Sequence, residues 1–364
     1  MPVQTYYEDL HKIPEISEKE YKTSEYIGKT LQSFGYTPVK TAETGVYTDL
    51  VTDENAPWLL LRADIDALPI REETALPYRS TMEGCMHACG HDAHSAMLLE
   101  AARILKNEKL PQNIRFLFQP AEETTKGATK VIRDGAVPTN VCACFAMHLW
   151  PGVGMGKVTT SAEVMMASSD VFRIHITGQS VHCAKRESGR DAMHTAVDIA
   201  STLYALSEEL QKKDTILFCG SIHSGESHNI VPNHAELYGT IRTFSPDERT
   251  KCRQLLEKTC VTAAAKHGTT ASVLWDGGCP PLCSDAGILR KLKNFLPELD
   301  TNAPRTYAAE DFAEYRQTIP GAMLWLGIGD TQPLHSKDFI IPCEILPVGV
   351  SLWTKIAMLK WWDA

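Results

Sequence analysis

The chain has 364 residues, a hydrophobic share of 43%, a charged share of 22% and a formal net charge of −9. That length predicts about two domains, and the acidic balance argues against a nucleic-acid binder, because a phosphate backbone is held through a surplus of lysine and arginine. No apolar run is long enough to span a bilayer, and the polar, acidic stretch from Met1 to Glu15 lacks the apolar segment of a secretory signal.

In chain order, Glu18 to Phe34 reads as an amphipathic helix stopped at Gly35, and Trp58 to Asp66 as a buried strand ending in two acids. A helix over Ser95–Glu108, a strand over Ile114–Gln119, a helix over Ala128–Arg133 and a strand over Val141–Met147 follow. Apolar strands alternating with helices predict an α/β layer with a largely buried sheet, whose functional residues lie just past the strand ends.

The pattern changes after Ser168. Val171–Ile176 alternates as a one-faced strand does, followed by a helix over Asp191–Gln211, strands over Ile216–Ile222 and Ala235–Phe244, a helix over Pro246–His267 and a closing strand over Thr270–Trp275. This β-α-β-β-α-β order is the ferredoxin-like arrangement and predicts a complete domain inserted in the first. The expected division is 1–167 and 277–364 for the outer domain and 168–276 for the insert. From Pro280 the α/β pattern returns, with a helix over Asp285–Phe295, a strand over Ala322–Leu326 and a last helix over Ile345–Trp362 carrying exposed tryptophans.

Eleven cysteines in a large chain without a signal predict a reducing, cytoplasmic setting, with Cys142, Cys144, Cys219 and Cys252 as small buried hydrophobes. GxGxxG, Walker A, HExxH and GxSxG motifs are absent. Met86 to His94, in contrast, holds one thiol, three imidazoles and one carboxylate. Further metal-ligating types stand at Glu122-Glu123, His148 and His335, each near a strand end or in a polar turn. A thiolate, three imidazoles and a carboxylate suit two clustered divalent cations, with one glutamate binding metal while its neighbour handles a proton. Taken singly, each has a plainer reading: His148 as a satisfied polar residue, the glutamates as a solvated helix start, and Cys85, His87, Cys89 and His91 as a structural zinc knuckle.

Arg62-Ala63-Asp64-Ile65-Asp66-Ala67-Leu68-Pro69, Met86 to His94 and Gln119-Pro120-Ala121-Glu122-Glu123 closely resemble the amidohydrolase branch of the dimetal aminoacylase/carboxypeptidase family of metallopeptidases. That branch includes hippurate hydrolases, indole-acetyl-amino-acid hydrolases and N-acetyldiaminopimelate deacetylases. Met147 to Gly152, Gly239 to Phe244, Glu310-Asp311-Phe312 and Leu334-His335-Ser336 extend the resemblance over nearly the whole chain.

The resemblance implies a mixed-sheet dimetal exopeptidase-like catalytic domain with the ferredoxin-like insert as lid and dimerisation domain. It implies metal ligands at Cys89, His91, Glu123, His148 and His335, a general base at Glu122, and Asp66 behind the ligands. His182 matches a lid histidine that reaches a substrate carbonyl, often across a dimer, and Asn229 and Arg242 match positions linked to the substrate carboxylate. Two departures, Ser180-Val181 before His182 with Lys185-Arg186 after it, and Ala308-Ala309 before Glu310, lie where substrate preference could change.

The expected activity is hydrolysis of an N-acyl-amino acid to a carboxylic acid and a free amino acid by a cytoplasmic homodimer. The expected cofactor is two divalent ions per subunit, zinc or manganese first, cobalt or nickel next. The alternatives are a dipeptidase or carboxypeptidase of the same family, a hydrolase with Cys89 as nucleophile beside His91, and a non-catalytic metal-binding protein.

Overall fold

The structure, a computed structural model, describes residues 2–362. The chain begins with α1 (Pro2–His11), α2 (Tyr21–Ser33), β1 (Val39–Thr41), β2 (Gly45–Leu50), β3 (Trp58–Asp64), α3 (His91–Leu105), β4 (Asn113–Gln119), α4 (Gly127–Arg133), β5 (Val141–Trp150) and β6 (Val158–Thr159). Then come β7 (Ser169–Thr177), α5 (Ala192–Gln211), β8 (Thr215–Ser224), β9 (His234–Thr243), α6 (Pro246–His267) and β10 (Thr270–Cys279). It closes with α7 (Ala286–Phe295), α8 (Ala313–Arg316), β11 (Gly321–Gly327) and α9 (Leu346–Met358).

Two compact units form. The first comprises Met1–Met165, Cys283–Pro304 and Glu310–Ala364; the second comprises Met166–Leu282 and Arg305–Ala309. The second is therefore wider than a 168–276 insert, because β10 stays paired with β7 through a bulge at Trp275/Gly277 as far as Cys279.

The first unit is built on a seven-stranded sheet in the order β1-β2-β4-β3-β5-β11-β6. Its centre, β4-β3-β5-β11, is parallel, and the strands toward the edges are antiparallel. Every residue of β4 and β11 is buried, as a sheet covered on both faces requires. Helix α3 is buried except at Arg103 and Ile104, with α1 and α9 packed against it.

Helix α3 starts at His91, four residues before the apolar periodicity begins, because its first turn is made of buried polar groups with partners rather than of core residues. Helix α1 and strands β1 and β2 lie outside the elements read from the sequence, although Val3, Tyr7 and Leu10 of α1 follow a helical spacing and are buried. The last helix is shorter than expected and its tryptophans are not exposed as a set: Trp353 and Trp361 are buried and only Trp362 is open. The Trp361 ring sits 4.7 Å from that of Phe145, and its N–H donates to the Ile356 carbonyl at 2.9 Å.

In the second unit the antiparallel sheet runs β10-β7-β9-β8, the ferredoxin-like order. Phe172, Ile174, Ile176, Leu217, Leu237 and Ile241 bury one face under α5 and α6, leaving Val171, Arg173 and His175 on the other. The helices are bounded as their sequences dictate. Asp191 caps α5 by accepting the His194 N–H at 3.0 Å, Ser245 caps α6, and Gly268 ends α6 with φ +67°.

Candidate metal centre

The strand ends of the first unit deliver the candidate ligands. Cys89 precedes Gly90, which takes φ +88° to open α3, so that His91 is the first residue of the helix. His148 lies near the end of β5. Glu122 and Glu123 follow β4 through a tight turn at Pro120 and Ala121 (φ +55°), closed against the start of α4 by the Gly127 N–H to the Ala121 carbonyl. His335, at φ +65°, is anchored by its N–H on the Ala88 carbonyl at 2.8 Å.

Cys89 Sγ lies 3.5 Å from His148 Nε2. The His148 Nδ1 sits 2.7 Å from the Leu149 carbonyl and donates to it, which leaves the Nε2 lone pair facing the thiol. His91 Nδ1 is likewise spent on Asp66, 3.0 Å from its carbonyl and 3.1 Å from its carboxylate. His91 Nε2 then lies 3.8 Å from Asp64 Oδ2 and 4.0 Å from Glu123 Oε1, and His335 Nε2 lies 3.5 Å from the latter oxygen. Both His91 Nε2 and Glu123 Oε1 are buried without a hydrogen-bond partner. Leaving such groups unmade costs about 1–3 kcal/mol each. Cys89, His91 and His148, and Cys89, Glu123 and His335, form two groups whose donor atoms all lie within 4.8 Å of one another. These residues fit a pair of cations sharing ligands.

The electrostatics also call for positive charge. Asp64, Asp66, Glu122, Glu310 and Asp311 are buried, as is Arg62, whose guanidinium holds Asp64, Glu310 and Asp311 at 2.7–2.9 Å. Burial, then the charges of Glu123 and Glu122, push the Cys89 thiol well above its usual range, which opposes a free thiolate nucleophile; a bound cation reverses that balance. Burial, and then the charges of Glu310, Asp311 and Glu123, hold Glu122 well above the ordinary carboxyl range. Its Oε1 accepts the Asp311 N–H at 3.4 Å. Burial, reinforced by His94, keeps His148 neutral.

A layer of supporting residues surrounds this set; Asp66, His87, Asp92 and His94 are expected there from the sequence, whereas Gln119, Tyr315, His11, Glu72 and Ser17 are not. His94 donates from Nδ1 to Asp64 at 2.7 Å and accepts the Leu149 N–H on Nε2 at 2.9 Å. Gln119 and Tyr315 complete the Arg62–Asp311 network. Asp92 pairs with His11 of α1 at 2.6 Å. His11 and Glu72 carry no sequence signal, because their role exists only once α1 packs on α3. Asp66 Oδ2 also accepts the Ser17 hydroxyl and the Glu123 N–H, tying the two ligand-bearing turns together. His87 is buried with both ring nitrogens unpartnered, and burial lowers its pKa to about 4.

His182, Asn229 and Arg242 lie in the second unit. His182 is exposed and its Nδ1 accepts the Ala184 N–H at 3.2 Å; the Cys183 N–H bonds the Asn229 carbonyl at 2.9 Å; Arg242 is half-buried on β9. Lys185 and Arg186 are exposed.

A mixed sheet with a parallel centre, carrying a thiol, imidazoles and glutamates gathered at its strand ends, defines the class of dinuclear-metal hydrolases. The chain belongs to Peptidase family M20/M25/M40, whose model matches residues 60–359. It is 38% identical to an N-acetyl-L-cysteine deacetylase of Bacillus subtilis (strain 168) over 91% of this chain and 82% of the relative. It is 33% identical to the IAA-amino acid hydrolase ILR1-like 2 of Arabidopsis thaliana over 96% and 83%. Among solved structures, the Bacillus subtilis YXEP protein, a dinuclear metal binding peptidase of the M20 family, superposes with a TM-score of 0.81 at 31% identity, covering 98% and 96% of the two chains.

Proposed function

We propose that the protein is a metal-dependent amidohydrolase that cleaves N-acyl-amino acids to a free amino acid and a carboxylic acid. The observation that carries the reading is the buried, unpartnered pair His91 Nε2 and Glu123 Oε1, set between Cys89/His148 and His335 with the Glu122 carboxyl beside them. Cys89, His91, Glu123, His148 and His335 would hold two divalent cations. When bound, these supply water activation and positive charge for a developing oxyanion. Zinc fits the thiolate; manganese, cobalt and nickel fit the imidazoles and carboxylate.

Glu122 takes the proton of the attacking water and delivers it to the leaving amine. Its raised pKa makes the ionised carboxylate a stronger base and favours the protonated form it must reach between the two transfers, while bound cations beside Glu123 would favour the ionised form with which the cycle starts. Asp66 orients His91. The deacetylase and hydrolase relatives support this reading over the carboxypeptidase alternative. Glu122→Gln is expected to keep fold and metal content while turnover on acetyl-, benzoyl- and indole-acetyl-amino acids falls about 10²–10⁴-fold. Near-normal turnover in that variant sinks the assignment of the base, and an unhydrolysed panel beside cleaved dipeptides favours the peptidase.

His182, Asn229 and Arg242 are proposed to recognise the substrate carbonyl and carboxylate, and the second unit to form a homodimer. Mixing His182→Ala with Glu122→Gln chains restores activity if His182 works in trans; verified heterodimers without recovery reject that arrangement. All eleven cysteines are unpaired, which supports a reducing, cytoplasmic setting.

A further inference from the structure

We infer that the helix-free face of the second unit's sheet carries a separate binding site for a borderline divalent cation such as zinc, with His175, His234 and Glu236 as ligands. The register builds it. His175 of β7 stands directly opposite Glu236 of β9, and His223 of β8 stands opposite the same Glu236 from the other side. His234, two residues before Glu236, shares its face. Three imidazoles therefore surround one carboxylate across three adjacent strands.

The two imidazoles already converge on one carboxylate oxygen, close enough that a small outward shift of His175 makes room for an ion. His175 Nδ1 lies 2.9 Å and His234 Nε2 3.4 Å from Glu236 Oε1, and the three donor atoms all lie within 4.8 Å of one another. Tetrahedral zinc with bonds of 2.0–2.1 Å needs ligand atoms about 3.3 Å apart. The candidate pairs in the first unit, at 3.5 Å, meet the same requirement. The other carboxylate oxygen, Oε2, accepts the Tyr238 hydroxyl at 2.9 Å, the kind of outer partner that fixes a ligating carboxylate.

Room for a further ligand exists alongside. A cavity of about 220 Å³ is lined by His223, Glu226, His234 and Glu236 with Ser180 and Ser224. Two imidazoles and a carboxylate with an open position suit zinc, nickel or copper better than magnesium or calcium. The comparable cluster His194, Asp198 and His267 is a poorer candidate, because the Lys266 ammonium already occupies Asp198 at 2.6 Å. A cation on Glu236 would clamp β7 to β9, bracing the sheet at the end that carries the turn to Asn229.

The test uses the full-length chain and Zn²⁺ alone. After equilibrium dialysis at low-micromolar free zinc, wild type is expected to retain one more zinc per chain than His234→Ala and than His175→Ala. The first-unit ligands are unchanged in all three proteins, so the difference is independent of what the catalytic centre binds. Equal zinc contents in the three proteins overturn the site. Should a variant fail to fold, anomalous scattering at the zinc edge from zinc-soaked wild-type crystals decides. A peak between His175 Nδ1, His234 Nε2 and Glu236 supports the site, and none there overturns it.

Discussion

His91 reaches the centre with its ring already fixed, because Asp66 takes its Nδ1 with both a carbonyl and a carboxylate oxygen. The tautomer that results presents Nε2 as a lone pair, the form a cation requires. Asp66→Ala should therefore weaken divalent-metal affinity about 10–100-fold, since it releases both the His91 ring and the Glu123 N–H. Competition with a chelating dye measures this, and unchanged affinity would show that Asp66 does not orient the ligand. The ligand types were legible in the sequence through their density and their resemblance to known motifs. The partners of those ligands were not, since Arg62 meets Asp311 across 249 residues and looks from the sequence like an ordinary strand residue.

At the scale of elements, the turn after β4 is held in shape by Gly127 at the start of α4. A Cβ built on Gly127 would come 1.7 Å from the Pro120 carbonyl oxygen, a backbone atom with no rotamer to yield. Gly127→Ala is expected to cost about 1–3 kcal/mol and to displace Glu122 with its turn. Denaturant midpoints and turnover should fall together; loss of stability with full turnover would show that the turn does not position the base. The boundaries of α6 could be read from the sequence because its caps, Ser245 and Gly268, are local signals. The start of α3 could not, because His91, Asp92 and His94 are buried through hydrogen bonds to distant residues and break the apolar period that marks a helix.

For the molecule as a whole, the N-terminal helix is coupled to the centre by charge. Burial alone would lower the His11 pKa, but hydrogen bonds to Asp92 and Glu72 overcome it and raise the group to about 9. The unfolded value is about 6.5. The pair's contribution to stability is therefore complete below about pH 6.5 and is lost as pH rises through about 9. Wild type should lose thermal stability between pH 7 and 10 more steeply than His11→Gln, which has no proton to release there. At neutral pH the His11→Ala variant should be less stable by about 3–5 kcal/mol, since it leaves Asp92 and Glu72 without their partner. Parallel slopes for wild type and His11→Gln would remove His11 from the titration. Among the described residues no helix is long and apolar enough to cross a membrane.

The sequence by itself determined the family, the alternation of strands and helices in each unit, and the residue types of the centre, because periodicity, caps and ligand-rich motifs are local properties of the chain. Only the tertiary structure decided which nitrogen of each histidine is free, which carboxylates are buried around Arg62, and that His175, His223 and His234 converge on Glu236. Those facts depend on strand register and on packing between residues far apart in the chain. The dense segment from Met86 to His94 shows the division clearly. Its composition predicts a metal, and the fold leaves His91 Nε2 without a hydrogen-bond partner while it pairs His94 with Asp64 and Asp92 with His11.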